Sequence, residues 1–394
     1  MDFQFTPEQE AFRQEVREFL ARELPPHWEG ELEGRETEAG WDFSRQFTKK
    51  LAQRGWLTMA WPTEYGGQGR SPIEQTIFTE ECSERQAPLG RSHLGVSVVG
   101  PSIFIYGNEE QKKKYLGAIS RDEIVFCQGF SEPNAGSDLA SLQTRAVEMG
   151  DYYLVNGQKI WTSGAHRADY CWLGARTDSE APKHRGISTL IVDMKSPGIS
   201  IRPLVNMADG HTFNEVFFDD VRVPADNLVG VKNRGWYQMA TTLDFERSGI
   251  GGVVNARRNL EQFIALARDV RHNGKPLLQE ARVRNCLADL HIELQVARWL
   301  AYRVAWMQSQ GQVPNYQASQ IRLFSTQLQQ KVARAAMDLL GLYGQLVPGS
   351  KYAPLDGRVE KEFLFSYCYT IRGGTADIQR NIIALRGLGL PRSG

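Results

Sequence analysis

Apolar residues at helical spacing open and close this chain, and an alternating, β-branched middle separates them. Phe12, Val16, Phe19 and Leu20 fall at i, i+4, i+7 and i+8, one face of a helix. Thr6 and Gln9 around Pro7 predict its start as a capping box, and Leu24-Pro25-Pro26 predicts its stop. Further amphipathic segments run to about residue 122, interrupted by the loop WPTEYGGQGRSP.

Around residue 123 the period changes. EIVFCQGFS, YYLVNGQKIWTSG, GISTLIVD, ISIRPLV and NEVFFDDVRV are short runs rich in β-branched and aromatic residues. Asn156-Gly157 reads as a two-residue hairpin, and Asp219-Asp220 reads as another turn. The spacing is that of a small antiparallel barrel or sandwich.

From about Arg234 the helical period returns: Leu260, Phe263, Ile264 and Ala267 share one face, and Leu287, Leu290, Leu294 and Ala297 another. The order helices, strands, helices predicts an α+β chain of three domains and argues against a βαβ nucleotide fold. They are an N-terminal helical domain at 1–122, a central β domain at 123–233 and a C-terminal helical bundle at 234–394. The sequence shows no internal repeat.

Composition narrows the class. Of 394 residues, 41% are hydrophobic and 23% charged, the balance of an ordinary globular protein. Forty-six basic residues cancel 46 acidic ones, which gives no support to binding nucleic acid or an anionic membrane. Cys82, Cys127, Cys171, Cys286 and Cys368 make no CxxC pair or metal spacing, so a reducing cytoplasm is expected and no metal site. No signal layout opens the chain, and no apolar run approaches the ~18 residues that cross a bilayer.

Several stretches carry candidate chemistry. GIGG at 249–252 fails as a dinucleotide fingerprint, because Val254 replaces the third glycine and LDFER precedes it; a close helix contact is expected instead. SEPNAGSD, 131–138, leaves a strand and sets hydroxyls beside bare backbone, suited to a phosphate or flavin edge or to a plain turn. In IWTSG, Trp161 either stacks on a planar ring or fills the core. LDFERSG crowds Asp244, Glu246 and Arg247 into one helical turn, either a solvated ion-paired face or an acid facing a pocket. RGGTADIQRN places Thr375 as the cap of a last helix behind Gly373 and Gly374.

WPTEYGGQG, GNEEQKKKYLGAI, QGFSEPNAGSD, NGQKIWTSG and GGTADIQRNIIA occur together and in this order. With them the chain resembles, nearly end to end, the acyl-CoA dehydrogenases, FAD flavoproteins that desaturate acyl-CoA thioesters. The resemblance implies flavin contacts at Gln128, Phe130, Ser131, Gly136 and Ser137, a flavin wall at Trp161, Thr162 and Ser163, and adenosine–pyrophosphate contacts at Thr375 and Asp377. It sets Ser137, Asp244 and Arg247 on the substrate side. In the family an arginine of an R-x-x-F-G-x-P segment reaches a neighbouring subunit's pyrophosphate. Here the segment is VRHNGKP; aligned on Gly274 and Pro276, the arginine's place falls on Val270 and the phenylalanine's on Asn273. Arg271 stands in for it only if the helix end is shifted. Asp338 of DLLGL replaces a family glutamine, and would need an amide or ribose hydroxyl as its partner.

Many members carry the catalytic base as a glutamate just before the Gly-Thr of the last helix; here that position is Gly373. A subset that includes isovaleryl-CoA dehydrogenases has a small residue there and a glutamate in an L-D-x-E-R segment, which LDFER matches. The resemblance therefore implies Glu246 as the base, with the Gly373 N–H donating to the thioester oxygen. It further implies a tetramer built as a dimer of dimers and electrons leaving to an electron-transferring flavoprotein. Three alternatives stay open: one half of a heteromeric dehydrogenase, an acyl-CoA oxidase or flavin monooxygenase, and a non-catalytic assembly subunit. The acyl group is not set by the sequence: Gly373 either leaves volume for branched, cyclic or steroid-like chains or reflects only the relocation of the base.

Overall fold

The structure is a computed structural model that describes residues 4–26, 28, 30, 37–245 and 249–392, with only the backbone of Arg91 and of 241–245. The chain forms two compact units: Met1–Gly30, Ser71–Ala87 and Arg247–Gly394 make one, and Glu31–Arg70 with Pro88–Glu246 the other.

The first unit is helical. α1 (Pro7–Glu23) opens with the expected capping box between Thr6 and Gln9 and stops at Leu24. α3 (Pro72–Glu84) repeats the device with Ser71 and Glu74. Long helices α9 (Ile250–Asp269), α10 (Ala281–Ser309) and α11 (Tyr316–Leu340) enclose one core. Leu260, Phe263, Leu287, Leu290 and Leu294 lie in it, so the two periodic faces are buried as their spacing requires. The glycines of GIGG serve close packing: a Cβ at Gly251 would meet Ser83 Oγ of α3 at 3.2 Å, and one at Gly252 would meet Gln329 Nε2 of α11 at 3.0 Å.

Charge ties α1 and α3 together inside this unit. Buried Arg13 donates to Glu80 at 2.8 Å and to Glu81 at 2.5 Å, Arg17 forks onto Glu81, and the Tyr302 hydroxyl of α10 donates to Glu80 at 2.5 Å. Burial pushes the Glu80 carboxyl up, but the hydrogen bonds from Tyr302 and Arg13 outweigh it and hold it below the usual carboxylate range. α12 (Arg358–Tyr369) and α13 (Ala376–Ile382) close the unit beside α11.

The second unit holds α2 (Glu38–Gln53), the short pieces α4 (Gly90–Leu94), α5 (Gly100–Tyr106), α6 (Glu109–Gln111) and α7 (Gly117–Ser120), and α8 (Gly235–Phe245). Between them runs a sheet of eight strands: β1 (Phe126–Gly129), β2 (Arg145–Glu148), β3 (Tyr152–Lys159), β4 (Tyr170–Arg176), β5 (Ile187–Asp193), β6 (Ile199–Leu204), β7 (Phe213–Pro224) and β8 (Leu228–Val229). The order is β6-β7-β3-β2-β4-β5-β8, with β1 beside β4. Most pairings are antiparallel, while β1 and β2 run parallel to β4.

Two expected turns are corrected. Asn156-Gly157 and Asp219-Asp220 are not hairpin tips; they lie inside β3 and β7 and face each other across a bulge. Asn156 Nδ2 donates to Asp220 Oδ1 and the Asp220 N–H to Asn156 Oδ1, both at 2.9 Å. Gly157 has φ of 150°, and an added Cβ would meet Thr144 Oγ1 at 2.6 Å, so the glycine serves the bulge. The true β2–β3 connection is the turn around Gly150.

Candidate active site

In the sheet unit, β1 runs out at Gly129 into Phe130 and the SEPNAGSD loop, which returns on itself through paired backbone bonds between Glu132 and Ala135 at 3.0 Å. Lys159, at the end of β3, is fully buried and anchors the loop from below. Its ammonium donates to the Phe130 carbonyl at 3.0 Å and to Glu132 Oε1 at 2.8 Å. Glu132 also accepts from the Gln143 and Thr144 N–H groups at 2.6 and 2.8 Å. Burial would raise the Glu132 carboxyl, yet Lys159 and these donors keep it below its ordinary value; burial pulls the Lys159 ammonium down despite Glu132. Sequence reading missed this pair. Its signal was a lysine in the inward phase of β3, which also buries Tyr153 and Val155.

The Ile160 N–H donates to the Ser131 carbonyl at 2.9 Å, so IWTSG lies directly against the loop. Trp161 is 55% exposed, with φ of 59° and its ring edge-on to Phe213, which excludes the core-filling alternative. Thr162 is fully buried, and among the described residues no group pairs with its hydroxyl. Ser163 is exposed.

Asn214 holds this turn, a role sequence reading also missed. It donates to the Thr162 carbonyl at 3.0 Å and to His166 Nδ1 at 3.1 Å, and accepts from His211 Nε2 at 2.9 Å. The two imidazoles stack at 4.3 Å. Burial first, then His211 and Arg167, lower the pKa of His166, which fits a neutral ring accepting from Asn214.

Gln128 is partly buried in β1 and Phe130 is buried, while Gly136 and Ser137 are exposed. Among the described residues the N–H groups of Gly136 and Ser137 find no backbone acceptor, and a Cβ on Gly136 would meet nothing within 4 Å. An exposed ring, an orphaned buried hydroxyl and N–H donors without backbone acceptors, on two segments joined at Ile160 and Ser131, suit a planar group that carries acceptor oxygens.

In the helical unit, α12 ends at Tyr369 and a tight turn leads to α13. Thr375 caps α13 as expected, accepting from the Ile378 N–H at 3.2 Å. Gly373 and Gly374 have φ of 63° and 93°, and among the described residues their N–H groups have no acceptor. A Cβ on Gly373 would come within 2.6 Å of Arg322 Nη2, so the guanidinium takes up space that the glycine would otherwise leave free. Asp377 pairs with Arg380 at 2.7 Å in the first turn of α13.

The remaining expected residues are placed as follows. α9 ends at Asp269, and Val270, its C-cap, packs against the helical core. Arg271 opens a small hairpin, β9 (Arg271–His272) with β10 (Lys275–Pro276), and donates to its own turn at the Gly274 carbonyl, 3.3 Å. Asp338 is exposed on α11, with Arg334 at 3.8 Å. Asp244 lies in α8, described there by backbone alone; Glu246 and Arg247 lie outside the described residues. Among the described residues no cluster of three His, Cys, Asp or Glu could hold a metal ion.

Comparisons with known proteins follow this layout. Family models for the N-terminal, middle and C-terminal domains of acyl-CoA dehydrogenases match residues 6–123, 127–221 and 233–388. Acyl-CoA dehydrogenase FadE26 of Mycobacterium tuberculosis is 38% identical, covering 100% of both chains. Acyl-CoA dehydrogenase IpdE1 of the same organism is 36% identical over 97% of this chain and 98% of its own. Among solved structures, the ChsE4-ChsE5 complex from Mycobacterium tuberculosis is 38% identical with a TM-score of 0.88, covering 100% of both chains. The Tcur3481-Tcur3483 steroid ACAD is 37% identical with the same TM-score of 0.88 and the same 100% coverage of each chain. With three domain models matched in order and full-length relatives above the level at which family is in question, the chain belongs to the acyl-CoA dehydrogenase family and is an oxidoreductase.

Proposed function

We propose that this chain is an FAD-dependent dehydrogenase that introduces the α,β double bond into an acyl-CoA thioester. The observation that carries the reading is the turn at Gly373: where many family members have a carboxylate this chain has a glycine, whose N–H finds no acceptor among the described residues. The turn can therefore hold an oxyanion but cannot take a proton. The acid must come from elsewhere, and Glu246 of LDFER is the candidate.

In this mechanism the Gly373 N–H holds the thioester oxygen and stabilises the enolate that develops there. Glu246 accepts the α-proton. Asp244, Arg247 and Ser137 are the proposed substrate contacts. FAD, when bound, supplies the acceptor for the β-hydride. Gln128, Phe130, Ser131, Gly136 and Ser137 would hold it along the loop, the exposed Trp161 with Thr162 and Ser163 would wall it, and Thr375 and Asp377 would meet its adenosine–pyrophosphate part. Arg271 and Asp338 are the weaker members of this set, since one is turned into its own hairpin and the other faces Arg334.

The acyl group we infer is bulky, on the strength of relatives described as a steroid ACAD. The filled space at Gly373 removes one argument for it, so the relatives carry it alone. The electron acceptor is proposed to be an electron-transferring flavoprotein in the cytoplasm; among the described residues no helix is long and apolar enough to cross a membrane.

A second reading is favoured by two observations. Val270 stands where the family's subunit-crossing arginine is expected, and a relative is solved as a two-protein complex. A partner chain would then complete part of the cofactor site.

The test is direct. The purified protein should be yellow with FAD, and one member of a panel of straight, branched, cyclic and steroid-like acyl-CoAs should bleach it anaerobically and yield the 2-enoyl thioester. A protein that binds no FAD on titration removes the reading; peroxide formed at the rate of turnover, with no added acceptor, replaces it with an oxidase.

A further inference from the structure

Several hydrogen bonds tie down the turn between α12 and α13, and one of them comes from another helix. The Arg372 N–H donates to the Cys368 carbonyl and the Ala376 N–H to the Thr370 carbonyl, each at 2.9 Å. Gln379 Nε2 donates to the Gly374 carbonyl at 3.2 Å. The Arg372 carbonyl instead accepts from Nη2 of Arg322, which stands on α11 fifty residues earlier.

A trans peptide unit is planar, with its C=O and N–H pointing to opposite edges. Gripping the Arg372 carbonyl therefore fixes where the Gly373 N–H points. That N–H, like its neighbour on Gly374, has no acceptor among the described residues, and Gly373 is exposed. The clamp has work to do, because Gly373 and Gly374, with φ of 63° and 93°, can reorient their peptides at little steric cost. The Arg372 side chain cannot replace it: its guanidinium lies over the rings of Tyr369 and Phe365, at 5.0 and 5.6 Å. A cationic donor on the carbonyl also polarises the peptide and strengthens the N–H at its other edge.

We infer that Arg322 is a positioning residue for the dehydrogenation: through the Arg372 carbonyl it aims the Gly373 N–H at the thioester oxygen. This rests on the reading of Gly373 as the oxyanion donor. Loss of an oxyanion donor outright costs ~10²–10³ in kcat. Loss of its aim should cost less, about 10- to 100-fold, with KM little changed because the CoA and acyl contacts remain.

The experiment uses the FAD-loaded holoenzyme with Arg322→Met, Arg322→Gln and Arg322→Lys. The probes are the acyl-CoA that bleaches the parent fastest among octanoyl-, 3-methylbutanoyl-, cyclohexanecarbonyl- and 3-oxo-4-cholen-24-oyl-CoA, and its thioether, in which a methylene replaces the carbonyl. Binding is read from the perturbed flavin spectrum and rate from anaerobic bleaching. The parent should prefer the carbonyl ligand. Arg322→Met and Arg322→Gln should lose most of that preference and 10- to 100-fold in kcat while binding the thioether as before, and Arg322→Lys should recover part of both. If a parent with a clear preference passes it undiminished to Arg322→Gln, or if both ligands weaken alike, the role of Arg322 is overturned. A parent that does not distinguish the two ligands overturns the Gly373 reading beneath it.

Discussion

Trp161 and Lys159 sit two residues apart in the chain and do opposite things. Trp161 turns its ring to solvent and Lys159 is fully buried, the reverse of what side-chain polarity alone suggests. Trp161→Ala should loosen FAD, seen as a weaker dissociation constant, while the melting temperature stays within a few degrees; an unchanged constant would make the ring a bystander. Lys159→Met leaves the Glu132 carboxylate buried with its cation gone. Breaking such a pair costs about 3–5 kcal/mol, and denaturant titration should show a loss of that size. Adding Glu132→Gln should return much of it. The resemblance to a known family pointed to Trp161, whereas nothing local announced Lys159 except a charge in the inward phase of a strand. Arg322 is harder still, since its partner lies fifty residues away and is a carbonyl that every residue type possesses.

Among the elements, those closed by near neighbours were legible. The Thr6–Gln9 box, the stop at Leu24 and the Thr375 cap are all bonds within a few residues, and each forms as the spacing requires. The faces of α9 and α10 were readable for the same reason, because a helix displays its period in any window of a few turns. Asn156-Gly157 and Asp219-Asp220 misled because turn-forming residues also serve a bulge, and only the pairing of β3 with β7 decides between the two. The α1–α3 charge network was likewise invisible locally. Its pH dependence follows from the depressed Glu80 carboxyl. A folded-state value below the unfolded one, about 4.3 for glutamate, adds stability above that pH and loses it as pH falls through the lower value. Thermal unfolding followed by helical signal should show the helical unit weakening below about pH 4. Glu80→Gln should cost about 3 kcal/mol at neutral pH, the low end for a broken buried pair because Arg13 keeps Glu81, and should flatten the acid slope. An acid slope identical in parent and variant would remove Glu80 from the account.

At the scale of the molecule, the helical unit leaves a line of Ile292, Val296 and Trp299 exposed along α10, at i, i+4 and i+7. A stripe of that kind calls for a covering surface, and we expect a mass near four chains by light scattering, or an aggregation-prone product that becomes tetrameric when expressed with a related chain. Ile292→Glu with Trp299→Glu should break either assembly; a monodisperse monomer in the parent would contradict it. Whether one kind of chain is enough depends on the base. Glu246 lies outside the described residues, so chemistry must decide it. Glu246→Gln keeps size and hydrogen bonding but cannot accept a proton, and general-base loss is worth ~10²–10⁴-fold. The decisive measurement is anaerobic bleaching of the purified protein, expressed without any partner, by its best acyl-CoA. The parent should bleach, and Glu246→Gln, still yellow and still binding acyl-CoA, should bleach at least 100-fold more slowly. Bleaching of the variant at close to the parent rate would contradict the account and place the base on another residue.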